Sequence, residues 1–197
     1  MADHLTSRRS LIAGTLTGTA AGTLALTEGA AEGAVQVPTG SVSHFLDLPG
    51  VQGDSIDTEF PGAFVVLDWL HGATSSVSPT NTTSPRSRVR PTPFSFTTRV
   101  TQASPSLFLA CCTGKHFTKA TLSARKSGDH QPYLVITLKD AYISSYQQRL
   151  NLADAVPLDV ITMDYGAVTW SYTPQLPTGG FGSPVRVGFD YLKNLVT

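Results

Sequence analysis

The chain has 197 residues with 14 basic and 14 acidic side chains, a formal net charge of zero, and 41% hydrophobic residues. That balance leaves no electrostatic footprint for nucleic acid or an anionic membrane surface. The two cysteines, Cys111 and Cys112, are neighbours in sequence, so there is no disulfide framework.

The chain opens with Ser7-Arg8-Arg9-Ser10-Leu11-Ile12, an uncharged run from Leu11 to Thr27, and the small residues Gly29-Ala30-Ala31. This order of charged, apolar and small segments is the layout of a twin-arginine export signal, with Arg8 and Arg9 as its pair. The run is rich in Thr, Gly and Ala, too short and too polar to span a bilayer, which needs about 20 predominantly apolar residues. Residues 1–34 are therefore expected to be the signal and its cleavage region, and 35–197 one mature domain of ordinary size. A disordered tail carrying a chance arginine pair is the competing reading.

Downstream, Asp54, Asp57 and Glu59 form an acidic cluster without the spacing or glycine of a calcium loop. Ser75 to Pro93 carries Pro79, Pro85, Pro91 and Pro93 among Ser, Thr and Asn, and reads as an extended loop rather than a core element. Within it Arg86, Arg88 and Arg90 alternate with Ser87 and Val89. That pattern suits an edge strand, one wall of an interface between subunits, or a solvated edge that discourages aggregation.

Phe94, Phe96 and Thr98 alternate with Ser95, Thr97 and Arg99, as in a strand with one buried face. Ser104 then offers an N-cap hydroxyl, Pro105 suits the first helical position, and Gly114 supplies a left-handed end. Between them Leu107, Phe108, Cys111 and Cys112 share one side, so a short amphipathic helix is expected, with both cysteines packed as small apolar side chains. A reactive thiol would need Lys115 or His116 to lower its pKa, and both lie beyond the helix end. Alternation returns from Thr118, with Leu122 and Ala124 against Ser123 and Arg125. It recurs in Leu134, Ile136 and Leu138, and in Val168, Trp170 and Tyr172. The fold class is mainly β: seven or eight largely antiparallel strands closing into a barrel or tight sandwich, with one short α-helix packed beside it.

Chemistry is sparse. The chain has no G-x-S-x-G elbow, P-loop, H-E-x-x-H or C-x-x-C pair. His44, His71, His116 and His130 are scattered singly without ligand spacing. No catalytic residue, cofactor or metal site is expected.

One long ordered string goes further than periodicity. Ser95, Phe96, Thr97, Arg99, Val100, Ala103, Ser104, Pro105, Leu107, Ala110, Cys111, Thr113, Gly114, Lys115 and His116, then Arg125, Lys126 and Gly128, resemble the central motif of the Hcp (haemolysin-coregulated protein) family. That family supplies the inner-tube subunit of bacterial type VI secretion. Its signature here rests most on Phe96, Ser104, Pro105, Gly114, Lys115 and His116. The segments His44 to Ser55, Phe64 to Gly72, Tyr133 to Ser145, Tyr172 to Gln175 and Val187 to Asp190 are similar to further family strands, with Phe189 where tryptophan is common. The likeness spans roughly Ser43 to Thr197.

The resemblance implies a subunit that assembles with itself into a homohexameric ring, stacked or unstacked, whose lumen holds effector cargo. It implies no enzyme activity. The leader departs from the family and implies, as partner, the twin-arginine export machinery, and a periplasmic or extracellular destination with no membrane contact in the mature form. Two other readings follow from the sequence: an exported orphan of the same fold acting as a binding module, and a secreted hydrolase built on the barrel. The last would need a deep pocket of converging Asp and His residues.

Overall fold

The computed structural model describes residues 41–75, 89–151, 155–177 and 179–197. Arg8, Arg9, Pro79, Pro85, Arg86 and Arg88 lie outside the described residues, as does the whole of the expected leader.

Eight strands and one helix follow in the order β1 (Val42–Asp47), β2 (Phe64–Ser75), β3 (Val89–Arg99), α1 (Ser104–Thr113), β4 (His116–Lys126), β5 (Leu134–Asn151), β6 (Val156–Tyr172), β7 (Val185–Asp190) and β8 (Leu195–Val196). Every pairing is antiparallel, and the sheet runs β3-β2-β1-β4-β5-β6-β7-β8. One further pairing decides the architecture. Phe94 to Arg99 of β3 pairs with Leu158 to Met163 of β6, which closes β1, β2, β3, β6, β5 and β4 into a barrel. Beyond that seam β3 leaves β6, and β7 takes its place beside Ala167 to Tyr172.

Closure turns one face of each strand inward. Leu46, Phe64, Val66, Phe94, Phe96, Leu122, Ile136, Leu138, Ile161 and Met163 are all buried in a single cluster. The alternation at Phe94 and Phe96, Leu122 and Ala124, and Ile136 and Leu138 supplies this core.

Pro91 and Pro93 correct the loop expected over Ser75 to Pro93. Both sit within β3, with Pro91 opposite Ala73 of β2. They are tolerated because β3 pairs with β6 only from Phe94 onward, so at the prolines one edge of the strand is free among the described residues. A count of prolines could not reveal which edge was free.

The helix departs from expectation at two points. Its N-cap is Ala103, without a side-chain cap; the Ser104 hydroxyl instead accepts the Thr101 N–H at 2.9 Å and donates to Asp159 Oδ2. Leu107 and Ala110 face inward, Cys111 is half-buried, and Phe108 and Cys112 are exposed, so the stripe expected to hold both cysteines inside is wrong. The short helix lies over the second half of β5 and is gripped at one end by a polar contact through Ser104, so its buried line runs through Ser104, Leu107 and Ala110. At the other end Gly114 adopts φ 63°, ψ 37°, and the Lys115 N–H reaches Ala110 O at 3.0 Å.

The segment between β1 and β2 forms a second, smaller packing unit outside the barrel. Phe45 points outward yet is buried, because Phe60 stacks on it with ring centroids 4.7 Å apart. The Arg125 guanidinium lies 5.5 Å from both rings and pairs with Asp57. Burial would push the Asp57 carboxyl up, but the Glu59 and Phe60 N–H groups and Arg125 outweigh it and hold it below its usual value. Gly53 is required here: a Cβ would stand 2.6 Å from Ala63 O.

Replacing Phe96, which is buried at the seam, by alanine is expected to cost about 3–5 kcal/mol. Urea unfolding should show a correspondingly lower midpoint at an unchanged slope.

Candidate functional site

One buried polar network lies under the helix. Asp159, on β6, is fully buried. Its Oδ2 accepts the Ser104 hydroxyl, and its Oδ1 accepts the Tyr146 hydroxyl at 2.9 Å and Gln148 Nε2 at 3.0 Å. A buried carboxyl without partners would be costly, and three donors supplied by α1 and β5 meet that need. Burial, helped by Asp159, pushes the Tyr146 phenol up to about 12. Above the network lies an open groove of 490 Å³ lined by Val100, Thr101, Ser104, Pro105, Phe108, Tyr146 and Gln148. The Phe108 ring meets Tyr146 edge-on at 5.8 Å.

A second cavity, of 520 Å³, opens where β3 and β6 part. His71, Trp170, Val187, Phe189 and Tyr191 line it. The Tyr165 hydroxyl lies 2.9 Å from His71 Nε2 and 3.2 Å from Thr92 O, tying the projecting ends of β2 and β3 to β6. Burial holds His71 below the ordinary histidine value and raises Tyr165 well above that of tyrosine.

The residues that carry the family motif do not converge on one point. Phe96 is core, Ser104 anchors the helix, Pro105 borders the groove, and Gly114 ends the helix. Lys115 Nζ lies 5.3 Å from the centre of the Phe117 ring. His116 meets Asp140 at 3.2 Å and lies against Tyr142. The other histidines stay apart: His44 sits near Trp69, and His130 meets Glu59 at 3.3 Å. Among the described residues no group of His, Cys, Asp and Glu is placed to hold a metal ion. Neither cavity lining brings an aspartate and a histidine together. No helix is long and apolar enough to cross a membrane among the described residues.

Sequence reasoning missed Asp159, Tyr146 and Gln148. Alternation held a weak signal, since Asp159 falls two residues from Ile161 on the same side of a strand, a place that demands partners.

What stands out instead is the outside. Ile56 is 98% exposed at the tip of the loop that Arg125 clamps, and Val65, Leu67, Leu70, Phe108, Leu109, Val185, Val187, Leu195 and Val196 are also exposed. They fall into groups on separate elements: Val65, Leu67 and Leu70 on β2, Phe108 and Leu109 on α1, and Val185, Val187, Leu195 and Val196 on the paired β7 and β8. The fold defines the class: a closed antiparallel barrel with one short helix held to it by the Asp159 network.

Residues 45–172 match the family described as "Type VI secretion system effector, Hcp". The chain belongs to that family. Protein hcp1 of Pseudomonas aeruginosa is 33% identical over 104 residues, a stretch covering 51% of this chain and 64% of that relative, less than two thirds of its length. A structure titled as a type six secretion system protein superposes with a TM-score of 0.73 at 23% identity, covering 80% of this chain and 100% of the other. Hcp1 from Salmonella typhimurium gives 0.66 at 24% identity, covering 79% and 99%. These structures share the eight-stranded antiparallel fold with its single helix.

Asp159→Ala, which strands three donors, is expected to cost about 3 kcal/mol by chemical denaturation. Folding favours the neutral Tyr146 phenol, with a pKa near 10 in the unfolded chain and about 12 here. Its stabilising effect is full below pH 10 and declines as pH rises toward 12. Tyr146→Phe should flatten that decline in thermal melts between these two values.

Proposed function

We propose that the chain is a structural subunit that assembles into a homohexameric ring, as a component or secreted relative of the type VI secretion tube. Family membership supports the reading, and one observation carries it: a closed, well-packed barrel that leaves many large apolar side chains outside has surface to spend on neighbours. The ring encloses a lumen that takes effector cargo, and rings stack where the apparatus provides for it. The protein works as a building block rather than a catalyst. The buried Asp159 and half-buried Arg125 support this, since they are engaged in holding the helix and the loop rather than turned toward a pocket.

The Arg8-Arg9 pair and the run after it favour a second reading within the same family: a protein exported by the twin-arginine machinery, with the mature domain at 35–197 acting in the periplasm or outside the cell as a binding module. The two readings differ in assembly. Light scattering coupled to size exclusion on the leaderless protein is expected to give a mass near six subunits, with ring-shaped particles in the same peak by electron microscopy. A monomer at every concentration would remove the ring and leave the binding module. For export, replacing Arg8 and Arg9 together by lysine is expected to trap the precursor in the cytoplasm, read by fractionation and immunoblot. Unchanged localisation would remove the export reading.

A further inference from the structure

We propose that the outward face of β2, with Asp68, Leu67, Leu70 and the adjoining Asp54, docks on the Lys119–Lys139 pair of a second copy. The inference rests on the ring reading above and names its contact. Lys119 on β4 and Lys139 on β5 are directly opposite in the ladder, so their side chains emerge on the same face, and both are exposed. Like charges in that relation oppose pairing. Among the described residues neither lysine has an acidic partner at ion-pair distance; the neighbouring Asp140 is engaged with His116. The strands nonetheless pair through this register, so the lysines are placed at a cost that a partner carboxylate would offset.

The complementary surface lies on the same chain. Asp68 and Leu70 flank the inward Trp69 and so point outward, and Leu67 is the extra residue of a bulge beside them. Leu67 and Leu70 are exposed. Asp54 and Asp68 are exposed without a basic partner at ion-pair distance among the described residues. Arg99 borders the same 330 Å³ hollow as Asp54 but does not pair with it, so the face keeps an excess of one negative charge.

Position makes the two surfaces a ring contact. Around the closed barrel the strands run β1, β2, β3, β6, β5, β4, which sets β2 opposite β5 and β3 opposite β4. An acidic, apolar face on one side and a basic face on the other cannot satisfy each other within one copy. Between copies they make a heterologous contact, each subunit giving one face and receiving the other, and such contacts close into rings or run on as filaments.

Charge reversal tests this on the leaderless protein by light scattering at low and high salt. Lys119→Glu with Lys139→Glu, and separately Asp54→Lys with Asp68→Lys, should each weaken assembly by roughly tenfold or more in dissociation constant. All four changes in one chain should restore it, and raised salt should weaken the unaltered protein. Milder Lys119→Gln with Lys139→Gln should give a smaller loss and guards against misfolding, with circular dichroism as the check. Rings that survive both double reversals, or a fourfold variant that stays apart although folded, would overturn this contact alone. An unaltered protein that never assembles would overturn the ring reading and the contact with it.

Discussion

The pairing of β3 with β6 is the constraint on which the rest depends. Without it the chain is an open, twisted sheet with apolar residues on one face and nothing to cover them. With it, Phe94, Phe96, Ile161 and Met163 meet across a closed interior and every inward side chain has neighbours on all sides. The same seam fixes the two functional-looking hollows. On one side of it Arg99 hands the chain to the helix, whose Ser104 reaches Asp159 inside the paired stretch of β6. On the other the strands part, and the Tyr165 hydroxyl holds the gap together through His71 and Thr92.

Closure also explains the exterior. A barrel of this size has room inside for one layer of side chains per strand, so the remaining apolar residues must be covered locally or left to neighbours. The chain does both. Phe45 is covered by its own loop through Phe60 and Arg125. Val65, which lies between the inward-facing Phe64 and Val66 and opposite Phe45 across the ladder, is left open, as are Leu67 and Leu70. That division separates what stabilises the subunit from what remains for assembly.

Much of the fold was legible in the sequence, because strands buried on one face write their burial as alternation. Phe94 and Phe96, Leu122 and Ala124, and Ile136 and Leu138 all point inward as their spacing requires. The helix was legible as an element but not in orientation. Its tether is a contact between Ser104 and Asp159, 55 residues apart, and no local pattern encodes such a partner. For the same reason Ser104 looked like a cap, since a serine before Pro105 has that chemistry whether or not a distant carboxyl claims its hydroxyl. The prolines of β3 misled because their cost depends on which edge is free, a property of the closed sheet. The Lys119–Lys139 opposition is likewise invisible until the register is known.

The β3–β6 seam closes the barrel and holds its interior. Native-state hydrogen exchange, resolved to the segments 94–99 and 158–163, tests it most directly. The seam amides should be among the slowest in the protein and exchange only with global unfolding, while the ends of β2 and β3 outside the seam, residues 72–75 and 89–93, exchange faster. Seam amides that exchange as quickly as those free ends would show that the sheet opens there, and would contradict the closed barrel.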